Sequence, residues 1–240
     1  MTKHSLAHCE LTAIPFETMG HEATTEIIVA NNDIGRIPRD ITMYANLEEL
    51  HISNNLLRLI PADLSQHCKS LRVLCMNSNK LASMAVERAR LDRLPNLERL
   101  EIADNRLTEF PQSLCDIPSL KKLNLSSNKL SLLPAKFSNL KNLESLGLAF
   151  NNFNGLPVTT LEKLGSLKVL TFIGNSMQEN THEDLKKLSA LVIGIAEISE
   201  IKDSYDDLEQ AFHKMLPPKQ GSEKSDVSGN LKASSTDLGG

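Results

Sequence analysis

Neither sign of charge is in excess in this chain. Twenty-six Lys and Arg against 30 Asp and Glu leave a net charge of −4, which offers no electrostatic footprint for nucleic acid or anionic lipid. Cysteine is scarce: Cys9, Cys68, Cys75 and Cys115 include no CxxC pair and no terminal cluster. A disulfide framework and a cysteine-held zinc are therefore not expected. The first ten residues, MTKHSLAHCE, lack the apolar run of a signal peptide, and no stretch reaches the length of a membrane span. Position 2 is not glycine and no CaaX box ends the chain, so lipid anchors are not expected either. A reducing compartment, cytoplasmic or nuclear, is the expectation.

Catalytic signatures are missing too. There is no Walker loop, HExxH, EF-hand loop or dinucleotide fingerprint. His4, His8, His21, His51, His67, His182 and His213 are scattered without metal-ligand spacing, and neither a metal nor a cofactor is expected.

What the chain does contain is a repeat. Leu97-Glu-Arg-Leu100-Glu-Ile102-Ala-Asp-Asn105-Arg-Leu107 returns 23 residues later as Leu120-Lys-Lys-Leu123-Asn-Leu125-Ser-Ser-Asn128-Lys-Leu130. The phrase starts at Thr24, Leu47, Leu71, Leu97, Leu120, Leu143 and Leu167, and a degenerate copy starts at Met1. A period of this size marks a solenoid, because one repeat cannot cover its own apolar side. Positions 4 and 6 of the phrase lie on one strand face by the two-residue period and meet position 11 inside the coil. The asparagines at position 9 (Asn32, Asn55, Asn79, Asn105, Asn128, Asn151 and Asn175) carry the donors and acceptor that inward-facing turn groups need. Cys9 stands at that position in the first copy, and His4 at an apolar one.

The pattern L-x-x-L-x-L-x-x-N-x-L resembles the leucine-rich repeat family over residues 1–180. The resemblance implies an α/β solenoid: a curved horseshoe with a parallel sheet on its concave face, an irregular or short-helical convex side and a C-terminal helical cap. Steps such as Ile37-Pro38, Ile60-Pro61, Phe110-Pro111, Leu133-Pro134 and Leu156-Pro157 resemble the intracellular, Ras-suppressor-like type. The third full repeat has Met84-Ala85 there and extra residues before Leu97, which predicts a longer or more helical return. Residues 181–218 are expected to form the cap, opened by Thr181 and Asp184, and 219–240 a disordered tail. No cap is evident before the first strand. That edge is expected either to fray or to be covered.

A protein partner is the implied ligand, docked on the concave face by a scaffold or regulatory subunit. Eight strands at ~4.8 Å spacing would span roughly 34 Å there. The outward column at position 5 reads Ser5, Ile28, His51, Cys75, Glu101, Asn124, Gly147 and Thr171, while the next column, at position 7, is mostly small. Candidate contacts are Ile28, Glu49, His51, Val73, Cys75, Asn77, Glu101, Asp104, Lys122, Asn124, Phe150 and Thr171. Acidic residues prevail in the first half (Glu26, Glu48, Glu49, Glu98, Glu101, Asp104) and lysines in the second (Lys121, Lys122, Lys168), which suggests a partner of opposite polarity. Phe150 is read either as an interface anchor or as packing between coils. Two other readings stand beside the scaffold: a structural subunit of a large complex, and the targeting arm of an enzyme. Catalysis by the chain itself is not expected, since Cys75 and His51 have no evident third group or oxyanion donors.

Overall fold

A computed structural model describes residues 2–176. Eight short strands form one sheet in sequence order, parallel throughout: β1 (Thr2–Ser5), β2 (Thr24–Ile28), β3 (Glu49–His51), β4 (Val73–Cys75), β5 (Arg99–Glu101), β6 (Lys122–Asn124), β7 (Ser145–Gly147) and β8 (Val169–Thr171). Each strand from β1 to β7 is followed by a return segment on the other side of a single apolar core. The register is regular from β2 to β8, so equal positions of successive repeats are neighbours. The expected cap and tail, and Thr181 and Asp184 with them, lie outside the described residues.

Positions 1, 4, 6 and 11 fill the core. Leu50, Leu74, Leu100, Leu123, Leu146 and Leu170 are all buried at position 4, as are Ile52, Met76, Ile102, Leu125, Leu148 and Phe172 at position 6. The asparagine at position 9 then satisfies the turn. Asn105 Oδ1 accepts the N–H of Leu81 from the preceding coil (3.0 Å), and its Nδ2 donates to the carbonyls of Met76, Ile102 and Ala103. Asn55, Asn79, Asn128 and Asn151 repeat this set. Among the described residues no buried side-chain nitrogen or oxygen lacks a partner.

Proline ends the turn and starts the return. Pro38, Pro61, Pro111, Pro134 and Pro157 each immediately precede a helical turn, where the missing N–H removes no ladder bond. Most returns are single turns of 3-10 helix; α1 (Ala62–His67) and α3 (Val158–Leu161) are α-helical. The third full repeat is the exception that its extra residues predict. It carries α2 (Ser83–Arg88) and a second turn at Leu91–Arg93.

The first coil departs from the pattern as the sequence does. Cys9 is exposed, and its N–H donates to Asn32 Oδ1 (3.0 Å). His4 Nε2 lies 3.1 Å from Thr24 Oγ1, a polar contact where later coils pack leucine. β1 is the outer strand at this end of the sheet.

Candidate functional site

The outward face of the sheet carries the side chains that the core does not use. Strand register places Ser5, Ile28, His51, Cys75, Glu101, Asn124, Gly147 and Thr171 in one row. A parallel row at position 3 runs Glu26, Glu49, Val73, Arg99, Lys122, Ser145, Val169. Ile28, Glu49, His51, Val73, Asn77, Lys122 and Asn124 are half-buried, while Asp104 and Phe150 are exposed. Openness along the whole row is the expectation, and four positions correct it. Cys75, Glu101, Gly147 and Thr171 share the outward side yet are buried. Glu101 is covered by Arg99, whose Nε donates to its Oε1 at 2.8 Å. Burial, with the neighbouring Glu101 carboxylate, pushes the Cys75 thiol up to about 12. That is the wrong direction for a nucleophile, whose reactive form is the thiolate.

Much of the charge on this face is paired across strands. Position 2 alternates in sign as Glu48, Arg72, Glu98, Lys121, Glu144, Lys168. Glu98 meets both Arg72 (3.3 Å) and Lys121 (3.2 Å), and Glu144 meets Lys168 (2.8 Å). The Lys168 hydrogen bond holds the Glu144 carboxyl below its ordinary value. Lys3 meets Glu26 at 2.6 Å, and His51 Nε2 lies 3.0 Å from Glu49 Oε2. Among the described residues of the face, Glu48, Asp104 and Lys122 form no ion pair. They are the charges left for a partner.

Two features escaped the sequence reading. Position 8 is left-handed in every coil among the described residues: His8, Asn31, Asn54, Ser78, Asp104, Ser127, Phe150 and Gly174 all have φ between 49° and 74°. Asn, Asp, Ser and Gly at this position are the signal, since they tolerate that backbone best. Phe150 is the bulky member of the row. It is 42% exposed, and its ring occupies the place a Cβ on Gly174 would take. The ring thus packs on the next coil, as the second reading of Phe150 has it, and still faces solvent.

The second feature is a carboxylate–imidazole group. Glu26, Glu49 and His51 each bring one donor atom within 4.8 Å of the others. The expectation that the histidines lack metal-ligand spacing is read along the chain, and it does not bring these three residues together. Stacking joins residues 23 apart, which spacing along the chain does not reveal.

Comparison with known proteins adds the family. The sequence model described as a leucine-rich repeat region matches residues 58–218, and a leucine rich repeat model matches residues 23–81. No curated protein matches. Among solved structures, a leucine-rich-repeat protein of Leptospira interrogans is 27% identical (TM-score 0.60) over 76% of this chain and 51% of its own. The plant peptide hormone receptor RGFR1, solved in complex with RGF2, is 28% identical (TM-score 0.60) over 75% of this chain and 29% of its own. An internalin of Listeria monocytogenes, 20% identical (TM-score 0.61) over 80% of this chain and 59% of its own, shares the fold. The chain thus spans less than two thirds of each of these structures. No described helix is long and apolar enough to cross a membrane.

Proposed function

Because the chain belongs to the leucine-rich repeat family, we propose that it is a scaffold or regulatory subunit that docks a protein partner on the outward face of its sheet. The family's fold is typical of protein-interaction modules, and one similar structure is a receptor in complex with RGF2. The observation that carries the reading is the contrast between columns. The buried positions repeat almost without change, while the outward row varies from strand to strand, which suits one specific target. Glu48 and Lys122, unpaired, and Phe150, exposed, are the contacts we assign first. The Leu-Pro and Ile-Pro steps support an intracellular signalling role of the Ras-suppressor-like type, and a reducing compartment is part of this proposal. Catalysis is not part of it, in keeping with the protonated, buried Cys75 thiol.

A second reading, a structural subunit held by its other side, is favoured by exposed apolar side chains in the return segments: Met43, Leu59, Met84 and Leu132. Affinity purification with three proteins separates the two. If the face carries the partner, a Glu48→Lys, Lys122→Glu, Phe150→Ala triple variant loses what wild type retains, and a Leu59→Ser, Leu132→Ser variant keeps it. The reverse pattern selects the structural subunit. Retention by both variants would overturn both readings.

A further inference from the structure

We propose that Glu26, Glu49 and His51 form a binding site for a divalent transition-metal ion, with Zn²⁺ the best match. The site lies on the outward face of β2 and β3, near the N-terminal end of the sheet. Glu26 and Glu49 are direct register partners, and His51 follows Glu49 by two residues on the same side. Strand stacking therefore fixes all three backbone positions before any ion arrives. One donor atom from each already lies within 4.8 Å of the others. Metal–ligand bonds of about 2.0–2.2 Å need these atoms closer together, which rotation of half-buried glutamates provides.

Like charges opposite one another on adjacent strands are destabilising. At position 2 the face avoids this by alternating sign, and each acid in an ion pair there lies between bases. At position 3, Glu26 and Glu49 sit side by side, and the ammonium nearest them is Lys3 on the edge strand, 2.6 Å from Glu26 Oε1, with its side chain 57% exposed. The carboxylate pair is thus balanced by a cation that a metal ion could displace. His51 Nε2 is already 3.0 Å from Glu49 Oε2, so the imidazole nitrogen points at the acid pair.

Cys75, in register with His51 across β3 and β4 and buried with 7% exposure, stands outside the set. An imidazole among carboxylates matches Zn²⁺ or Co²⁺ better than Ca²⁺ or Mg²⁺, which favour all-oxygen shells. Three protein ligands leave coordination positions open on the outward side, for water or for a side chain of a docked protein.

Titration calorimetry on the full chain with ZnCl₂, CoCl₂, MgCl₂ and CaCl₂ tests the site. Zn²⁺ and Co²⁺ are expected to bind at one equivalent, and Mg²⁺ and Ca²⁺ to give no saturable heat. Glu49→Gln and His51→Ala are each expected to weaken Zn²⁺ at least tenfold. Lys3→Ala is expected to tighten it several-fold, because the competing ammonium is gone. Zn²⁺ is also expected to raise the unfolding midpoint of wild type and not of Glu49→Gln, a near-isosteric change that keeps the test valid if His51→Ala misfolds. Wild-type affinity in both donor variants would overturn the proposal. So would absence of saturable Zn²⁺ binding up to millimolar concentration, or loss of binding in Cys9→Ser alone.

Discussion

Arg99 shields Glu101 on the side of the sheet that faces solvent, Nε to Oε1 at 2.8 Å, leaving the carboxylate side chain only 3% exposed. A charge withdrawn from water this far depends on its partner. Arg99→Ala is expected to destabilise the fold by about 1–3 kcal/mol, the usual cost of an abandoned buried polar group. Arg99→Ala with Glu101→Gln should recover much of that loss. Urea unfolding of both singles and the double gives the coupling energy. Additive losses would show that the pair does not act as a unit.

The asparagine ladder gives a second prediction. Asn105 and Asn128 each make four hydrogen bonds to backbone atoms of their own and the preceding coil. Replacement by alanine at either position is expected to cost on the order of 1–3 kcal/mol or more, since several buried groups lose partners together. Amide exchange should accelerate at Leu81 in Asn105→Ala and at Leu107 in Asn128→Ala, the residues whose N–H groups these side chains accept.

Gly174 has φ +74°, and the Phe150 ring fills the space beside its Cα. Gly174→Ala is therefore expected to destabilise by about 1–2 kcal/mol from backbone strain, plus the cost of moving the ring. Combining it with Phe150→Ser should remove the steric part and leave the strain. Thermal unfolding of the three variants measures the two contributions separately.

Burial raises the thiols of Cys68, Cys75 and Cys115 from an ordinary value near 9 to about 12. The folded state therefore holds these protons more tightly than the unfolded chain. Their contribution to stability is complete below about pH 9 and declines as the pH rises from there to about 12. Denaturation midpoints recorded across that range are expected to fall, and to fall less in Cys68→Ala and Cys115→Ala once each is referred to its own neutral-pH value. Iodoacetamide at neutral pH is expected to modify exposed Cys9 first, as read by peptide mass spectrometry.

Most of the architecture is written in the chain because it rests on recurrence. Leu100, Leu123 and Leu146 announce the core by repeating, and Asn105 and Asn128 announce the turn. The outward row was legible for the same reason: its register follows from that of its buried neighbours. Its exposure was not, because whether Glu101 is open depends on how Arg99 lies across it. Which charges stay unpaired was not legible, because Arg72, Glu98 and Lys121 meet only after stacking. The meeting of Glu26, Glu49 and His51 was hidden for a like reason. A second set of asparagines also went unread. Asn46, Asn96 and Asn142, each just before a position-1 leucine, donate to carbonyls of the preceding coil. Their recurrence was there to be noticed.

Each position-9 asparagine reaches backward. Its oxygen accepts from the coil before it, and one of its amide hydrogens is given to that same coil. Support therefore has a direction. Deleting the last coil of a stretch robs its predecessor of an acceptor for a buried amide, whereas deleting the first leaves every later turn with its own asparagine. Shortening this chain from its two ends is thus inequivalent, and unravelling that begins at the C-terminal side uncovers a fresh unsatisfied turn at every step.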